Sequence, residues 1–235
     1  SALKPVQTTS KNINSDHAEI EKSSQAVLDY FKGSPAILIT TKAELHTYVL
    51  NAIEAGYCGI DTETTGLGRI NDTIVGTSLY YPGGVECYIP SKHIVHIMEQ
   101  PYPNQLSYAD VGEELQLLVN AKTKMIFANA DFDIAMIYKD LNVDFAETCF
   151  YDVQVAWRCL KANEPSNKLK DLYVKYVLGG KGNPKKFSDF FSPRLFPYCK
   201  PEVAKFYAAN DAKITYELYA IPLGTTYWPS NKSTL

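Results

Sequence analysis

Along this chain, short apolar runs bounded by acids, glycines or prolines alternate with longer stretches of helical spacing, the pattern of strands interleaved with helices. Ala36-Ile-Leu-Ile-Thr40 reads as a strand. Thr41, with Glu44 three residues on, has the capping-box spacing, so a helix follows and ends near Gly56. Tyr57-Cys-Gly-Ile-Asp61 is a second strand, short and apolar, with acids at its C-terminal end. Thr73 to Tyr80 and Val85 to Pro90 form a hairpin around Pro82-Gly83-Gly84. Residues 91–107, with His93 and His96, read as an exposed loop. A helix over 108–121 leads to a strand over 124–128, and Asp131 is placed to cap a helix running through Lys139. A strand near 148–151 precedes helices around 153–161 and 168–178. The Gly179–Pro184 stretch breaks the chain, and Pro201 opens a last helix to about Tyr219. The sum is an α/β domain over residues 36–222, a mixed sheet flanked by helices. Ahead of it, 1–35 read as a polar linker followed by a helix from His17 to Lys32; behind it, 223–235 read as a tail.

Composition adds limits. The 235 residues are 46% hydrophobic, enough for a sizeable core, and no apolar run nears the roughly 20 residues of a membrane span. The N-terminus lacks the basic and apolar regions of a signal peptide, and its Ser1 suggests a fragment excised from a longer chain. Five cysteines without C-x-x-C spacing point to a reduced, intracellular protein and away from zinc. Net charge is −3, unevenly spread: residues 161–205 hold ten Lys or Arg against four Asp or Glu, leaving −9 on the rest. A basic flank beside an acidic centre suits nucleic acid, with Lys185 and Lys186 as candidates for holding phosphates, although a plain solvated surface has the same composition.

Three hard-oxygen clusters carry the chemistry. Asp61 and Glu63, one residue apart on a strand, project to one side. Two carboxylates so placed repel unless a cation sits between them, which is how Mg²⁺ and Mn²⁺ sites are built. Tyr207 and Asp211 are i, i+4 on a helix and share a face, with Ala208 and Ala209 leaving room for close approach. Asp133 follows an apolar strand and Asn129 at a strand-to-helix junction. Asp131 and Asp152 are better read as groups favouring helix N-termini. Four acids and a tyrosine, with no histidine in a Ser–His–Asp pattern, suit hydrolysis by two divalent ions about 3.5–4 Å apart.

These residues resemble a known family. Asp61-Thr-Glu63-Thr-Thr-Gly-Leu67, Asn129-x-x-Phe132-Asp133 and Tyr207-Ala-Ala-Asn-Asp211-Ala are similar to the three motifs of the DEDD exonucleases, most of all the 3′–5′ proofreading domain of family A DNA polymerases. The resemblance implies an RNase H-like fold with a mixed five-stranded sheet. It also implies release of nucleoside 5′-monophosphates from single-stranded or frayed DNA 3′ ends. Asp61, Glu63, Asp133 and Asp211 would hold two Mg²⁺ or Mn²⁺ ions, Tyr207 would position the attacking water, Leu67 would wedge against the terminal base, and Thr64 and Asn129 would contact substrate. Asp131 departs from the basic or neutral residue common there, adding negative charge that would weaken DNA binding. No polymerase domain follows within the chain. Two other readings stay open: an exoribonuclease resembling RNase D, and a catalytically silent scaffold that binds strands or a partner polymerase.

Overall fold

The computed structural model describes residues 10–160, 166, 168–182 and 184–221. The expectations for residues 1–9, for Lys161 and for the 223–235 tail lie outside them. The sheet is built around β2 (Tyr57–Thr64), an eight-residue strand with Cys58, Gly59, Ile60 and Thr62 buried. β2 pairs antiparallel with β3 (Ile74–Tyr80), which pairs antiparallel with β4 (Cys87–Pro90). On its other side β2 runs parallel to β7 (Lys124–Phe127), and β7 parallel to β8 (Cys149–Asp152). These are the five strands of a mixed sheet. A sixth, β1 (Ile37–Leu38), extends it at the β4 edge, where Ile37 N–H donates to Glu86 O (3.0 Å) and Ile39 N–H to Tyr88 O (2.9 Å).

Helices cover both faces. α2 (Lys42–Ala55) starts with the predicted capping box, the Thr41 side chain accepting from Glu44 N–H, and stops at Gly56 in the left-handed region. Its Leu45, Val49 and Ala52 join Leu115 and Leu118 of α3 (Tyr108–Asn120) and Met136 and Ile137 of α4 (Ala130–Leu141) in the main core, with Cys58 and Ile60 from β2. The opposite face is crossed by α7 (Pro201–Ala220). There α5 (Val153–Leu160) and α6 (Leu169–Tyr176) pack Trp157 and Leu172 with Ile214 and Leu218 of α7. Gly59 of β2 is what lets α7 come close: a Cβ there would lie 2.6 Å from the carbonyl oxygen of Ala212.

The structure departs from the sequence reading in three places. Helix α1 (Ser10–Tyr30) reaches back into the expected linker. It docks through Ile20 and Val27 onto Leu195, Phe196, Val203 and Ala204, with Arg194 in a two-point ion pair to Asp16 (2.9 and 2.6 Å). The 91–107 segment is no exposed loop. It contains a small hairpin of β5 (Ile94–Val95) and β6 (Gln100–Pro101), and His93 is fully buried. His93 Nε2 shares a hydrogen bond with Tyr88 Oη (2.7 Å), and burial lowers its pKa to about 3, so it is a neutral core group. Finally, Asn129 and not Asp131 stands at the N-cap of α4. No helix among the described residues is long and apolar enough to cross a membrane.

Replacing Gly59 by Ala places a methyl against backbone, which must move. The variant is expected to lose about 1–3 kcal/mol of stability, the usual cost of overpacking, and to shift α7 away from β2. Denaturant unfolding measures the first effect. Unchanged stability would mean that α7 is not held at contact distance.

Candidate active site

β2 carries two acids out of the sheet's centre. Its alternation sends Thr62 to the α4 face and Asp61 and Glu63 to the α7 face. A register shift between Glu63 and Thr64 then ends the regular ladder with β3 just past the acids. From α7, Asp211 and Tyr207 point at the same place from positions one turn apart, both about nine-tenths buried. Carboxylate oxygens of Asp61, Glu63 and Asp211 lie within 4.8 Å of one another.

Asp133 arrives from the other face and stands apart from that trio. Its Oδ1 accepts from the Thr62 backbone N–H (3.1 Å) and from Thr62 Oγ1 (2.6 Å), which ties α4 to β2 between the two acids of the α7 face. The direction of α4 is fixed by Asp152 at the end of β8. Asp152 Oδ2 accepts from Ala130 N–H (2.7 Å) and Oδ1 from Asn129 N–H (3.3 Å), in the place of a cap from α4's own residues. The same carboxylate accepts from Gln154 and Val155 N–H (2.8 and 3.1 Å), so it also caps α5. Asn129 takes the left-handed conformation, φ 86°, at this junction.

Lys170, in the first turn of α6, is a member of the site that sequence reading missed. Its Nζ lies 2.5 Å from Asp211 Oδ1 and 4.2 Å from the centre of the Tyr207 ring, with the side chain 9% exposed. The available signal was its spacing: Lys170 sits three and seven residues before Tyr173 and Val177, which flank the core. Among the ten basic residues over 161–205 its charge alone does not set it apart, although it lies on an apolar stripe.

Burial dominates the electrostatics. It pushes Asp61 well above the ordinary carboxylate range, and the charges of Asp133, Glu63 and Asp211 add to the effect. Glu63 is pushed up to about 8 by burial and then by Asp211, while Lys170 acts in the opposite direction. Burial raises Asp133 to about 7 despite the hydrogen bonds from Thr62. Mutually repelling hard oxygens with no thiol or imidazole among them fit a divalent hard cation.

The expected substrate contacts are more scattered. Thr64 Oγ1 donates to Gly66 O (2.6 Å) at the root of the 65–73 loop. Leu67 stands out from that loop, 87% exposed, and so does Ile70. Asp72 braces the loop by accepting from Gly68 N–H (2.7 Å) and Thr65 Oγ1 (2.8 Å). Arg69 pairs with Asp131, an ion pair that the sequence distance of 62 residues conceals. Lys185 is anchored by its backbone N–H to Tyr30 Oη (3.3 Å), and Lys186 Nζ lies 3.5 Å from Asp171 of α6.

A family profile described as 3′–5′ exonuclease matches residues 36–221. The chain belongs to that exonuclease family. Its members are nucleases of the DEDD kind, which act at nucleic-acid 3′ ends with divalent metal ions. Solved structures similar to this exonuclease include Trypanosoma brucei RNase D, 14% identical with a TM-score of 0.61 over 86% of this chain and 67% of that one. The Aedes aegypti Nibbler EXO domain is 17% identical, TM-score 0.55, over 78% and 85%. Brucella melitensis NrnC bound to pGG is 18% identical, TM-score 0.53, over 75% of each chain. At such identities the likeness speaks for the RNase H-like fold alone. No curated protein matches the exonuclease's sequence.

The raised carboxyl groups set a pH dependence for the metal-free fold. Folded Glu63 and Asp133 keep protons up to about 8 and 7, whereas an unfolded chain releases them near the ordinary value of about 4. Stability from these groups is therefore fully present below about pH 4 and is lost as pH rises through 7 and 8. Melting temperatures in EDTA should fall across that window, less steeply in Glu63→Gln, and Mn²⁺ should flatten the curve. Equal slopes for the wild type and Glu63→Gln would contradict the electrostatic account.

Proposed function

We propose that this exonuclease removes nucleoside 5′-monophosphates from single-stranded or frayed DNA 3′ ends and is the proofreading part of a family A DNA polymerase, with the polymerase domain as its partner. The observation that carries the reading is the meeting of Asp61, Glu63 and Asp211 oxygens within 4.8 Å, on the face of α7 that presents Tyr207. The resemblance of Tyr207-Ala-Ala-Asn-Asp211-Ala to the polymerase type supports DNA as the substrate. Five free cysteines accord with an intracellular setting.

Asp61, Glu63, Asp133 and Asp211 would hold two ions, Mg²⁺ or Mn²⁺, which when bound stabilise the charge that builds on the phosphoryl oxygens. In the reaction a water oxygen attacks the last phosphodiester phosphorus. The bond from that phosphorus to the 3′ oxygen of the preceding nucleotide breaks, leaving a new 3′ hydroxyl. Tyr207, one turn before Asp211, orients the attacking water with its hydroxyl. Leu67 stacks on the terminal base, an apolar contact that any base can make. Thr64, at the root of the Leu67 loop, and Asn129, at the start of α4, would contact substrate. Lys185 and Lys186 hold the strand farther back, Lys186 leaving Asp171 to do so.

The deciding experiment digests a 5′-labelled DNA strand, and an RNA strand of the same sequence, with Mg²⁺ or Mn²⁺ and with EDTA. A metal-dependent ladder shortening from the 3′ end, faster on DNA, is expected. Faster shortening of the RNA would move the enzyme to the RNase D type, and an inert folded protein that still binds strands would be the silent scaffold. Tyr207→Phe, which removes one positioning hydroxyl, should cut the rate on the order of tenfold or more while leaving the Mn²⁺-induced thermal shift in place. A variant that no longer responds to Mn²⁺ would assign the tyrosine a different role.

A further inference from the structure

The exonuclease site contains a cation of its own. Lys170 Nζ lies 2.5 Å from Asp211 Oδ1, takes up one of that oxygen's acceptor directions, and brings a positive charge into the group formed with Asp61 and Glu63. Its side chain is 9% exposed, so the pair is little screened by solvent. The ammonium also lies over the ring of Tyr207, 4.2 Å from its centre. One lysine on α6 thus holds both motif residues of α7. Neither contact belongs to a flexible surface chain: Lys170 follows Leu169 and precedes Leu172 and Tyr173, all packed with α5 and α7.

We propose that Lys170 is a resident counter-ion of the metal site, which a divalent ion must displace from Asp211 or bind against. The inference rests on the metal-dependent reading of the same acids. Without metal, Lys170 balances one of the three clustered carboxylates and keeps Asp211 and Tyr207 in register. With metal, the same charge stands beside a doubly charged ion and opposes it. Lys170 therefore makes the empty site more stable and the filled site harder to reach, setting the ion concentration at which the site fills. It is a positioning residue, since it acts through Asp211 and Tyr207.

The test compares wild type, Lys170→Met and Lys170→Arg by thermal melting in EDTA and by calorimetric titration with Mn²⁺. Lys170→Met should melt lower in EDTA, bind Mn²⁺ on the order of tenfold more tightly through the loss of one nearby like charge, and gain more melting temperature from saturating Mn²⁺. Lys170→Arg, which keeps the charge, should stay near wild type in affinity. A merely structural lysine would lower the melting point equally with and without Mn²⁺; unchanged or weaker Mn²⁺ affinity in Lys170→Met would overturn the proposal. If Lys170→Met folds only with Mn²⁺ present, the proposal is supported; if it folds under neither condition, Lys170→Gln is titrated in its place and judged by the same affinity criterion. A wild-type protein that binds no Mn²⁺ would instead remove the metal-dependent reading beneath it.

Discussion

Repulsion among carboxylates at the end of a buried strand is the constraint around which the rest of the molecule is arranged. Asp61, Glu63 and Asp211 come within 4.8 Å of one another, and no single element could hold them there against their own charge. β2 is therefore gripped from both faces. On one, Thr62 gives two hydrogen bonds to Asp133, which spreads that charge into the strand's backbone. On the other, α7 sits at contact distance over Gly59, and Lys170 leans in from α6. The large core under α2, α3 and α4 supplies the stiffness that lets strained electrostatics persist, as charged sites generally require.

The parts proposed to meet substrate are built on a different principle. Acids lie on a strand and two helices, whereas Leu67 and Ile70 stand on a loop that is held by polar ties at its base and by the ion pair of Arg69 with Asp131. On the proposed reading, the strand and helices fix the acids while the loop presents an apolar contact to the terminal base. Because Arg69 grips the first turn of α4, the loop's position is referred to the same helix that carries Asp133.

Local rules recovered much of this. The capping box of α2, the pairing of Asp61 with Glu63 on a strand and the stacking of Tyr207 over Asp211 on a helix all follow from spacing within a few residues. What escaped depends on contacts across the fold. Thr62 and Asp133 are 71 positions apart, and Arg69 and Asp131 are 62 apart, so neither partnership leaves a trace in periodicity. His93 lay hidden in a polar stretch because its partner Tyr88 belongs to the neighbouring strand β4. Lys170 was masked by abundance: ten basic residues over 161–205 read as one surface, and charge alone does not say which of them turns inward. The edge strand read over Ala36–Thr40 is present but pared to two residues, Ile37–Leu38, because only those pair with β4.

Asp152 serves the N-termini of α4 and α5 with one carboxylate. Any change at that position is therefore read by two helices at once. A substitution that suits α5 must also suit the junction that aims Asp133, so the freedom to vary at the end of β8 is set by the more demanding of its two clients. The sheet edge and the candidate site are, at this one residue, a single heritable unit.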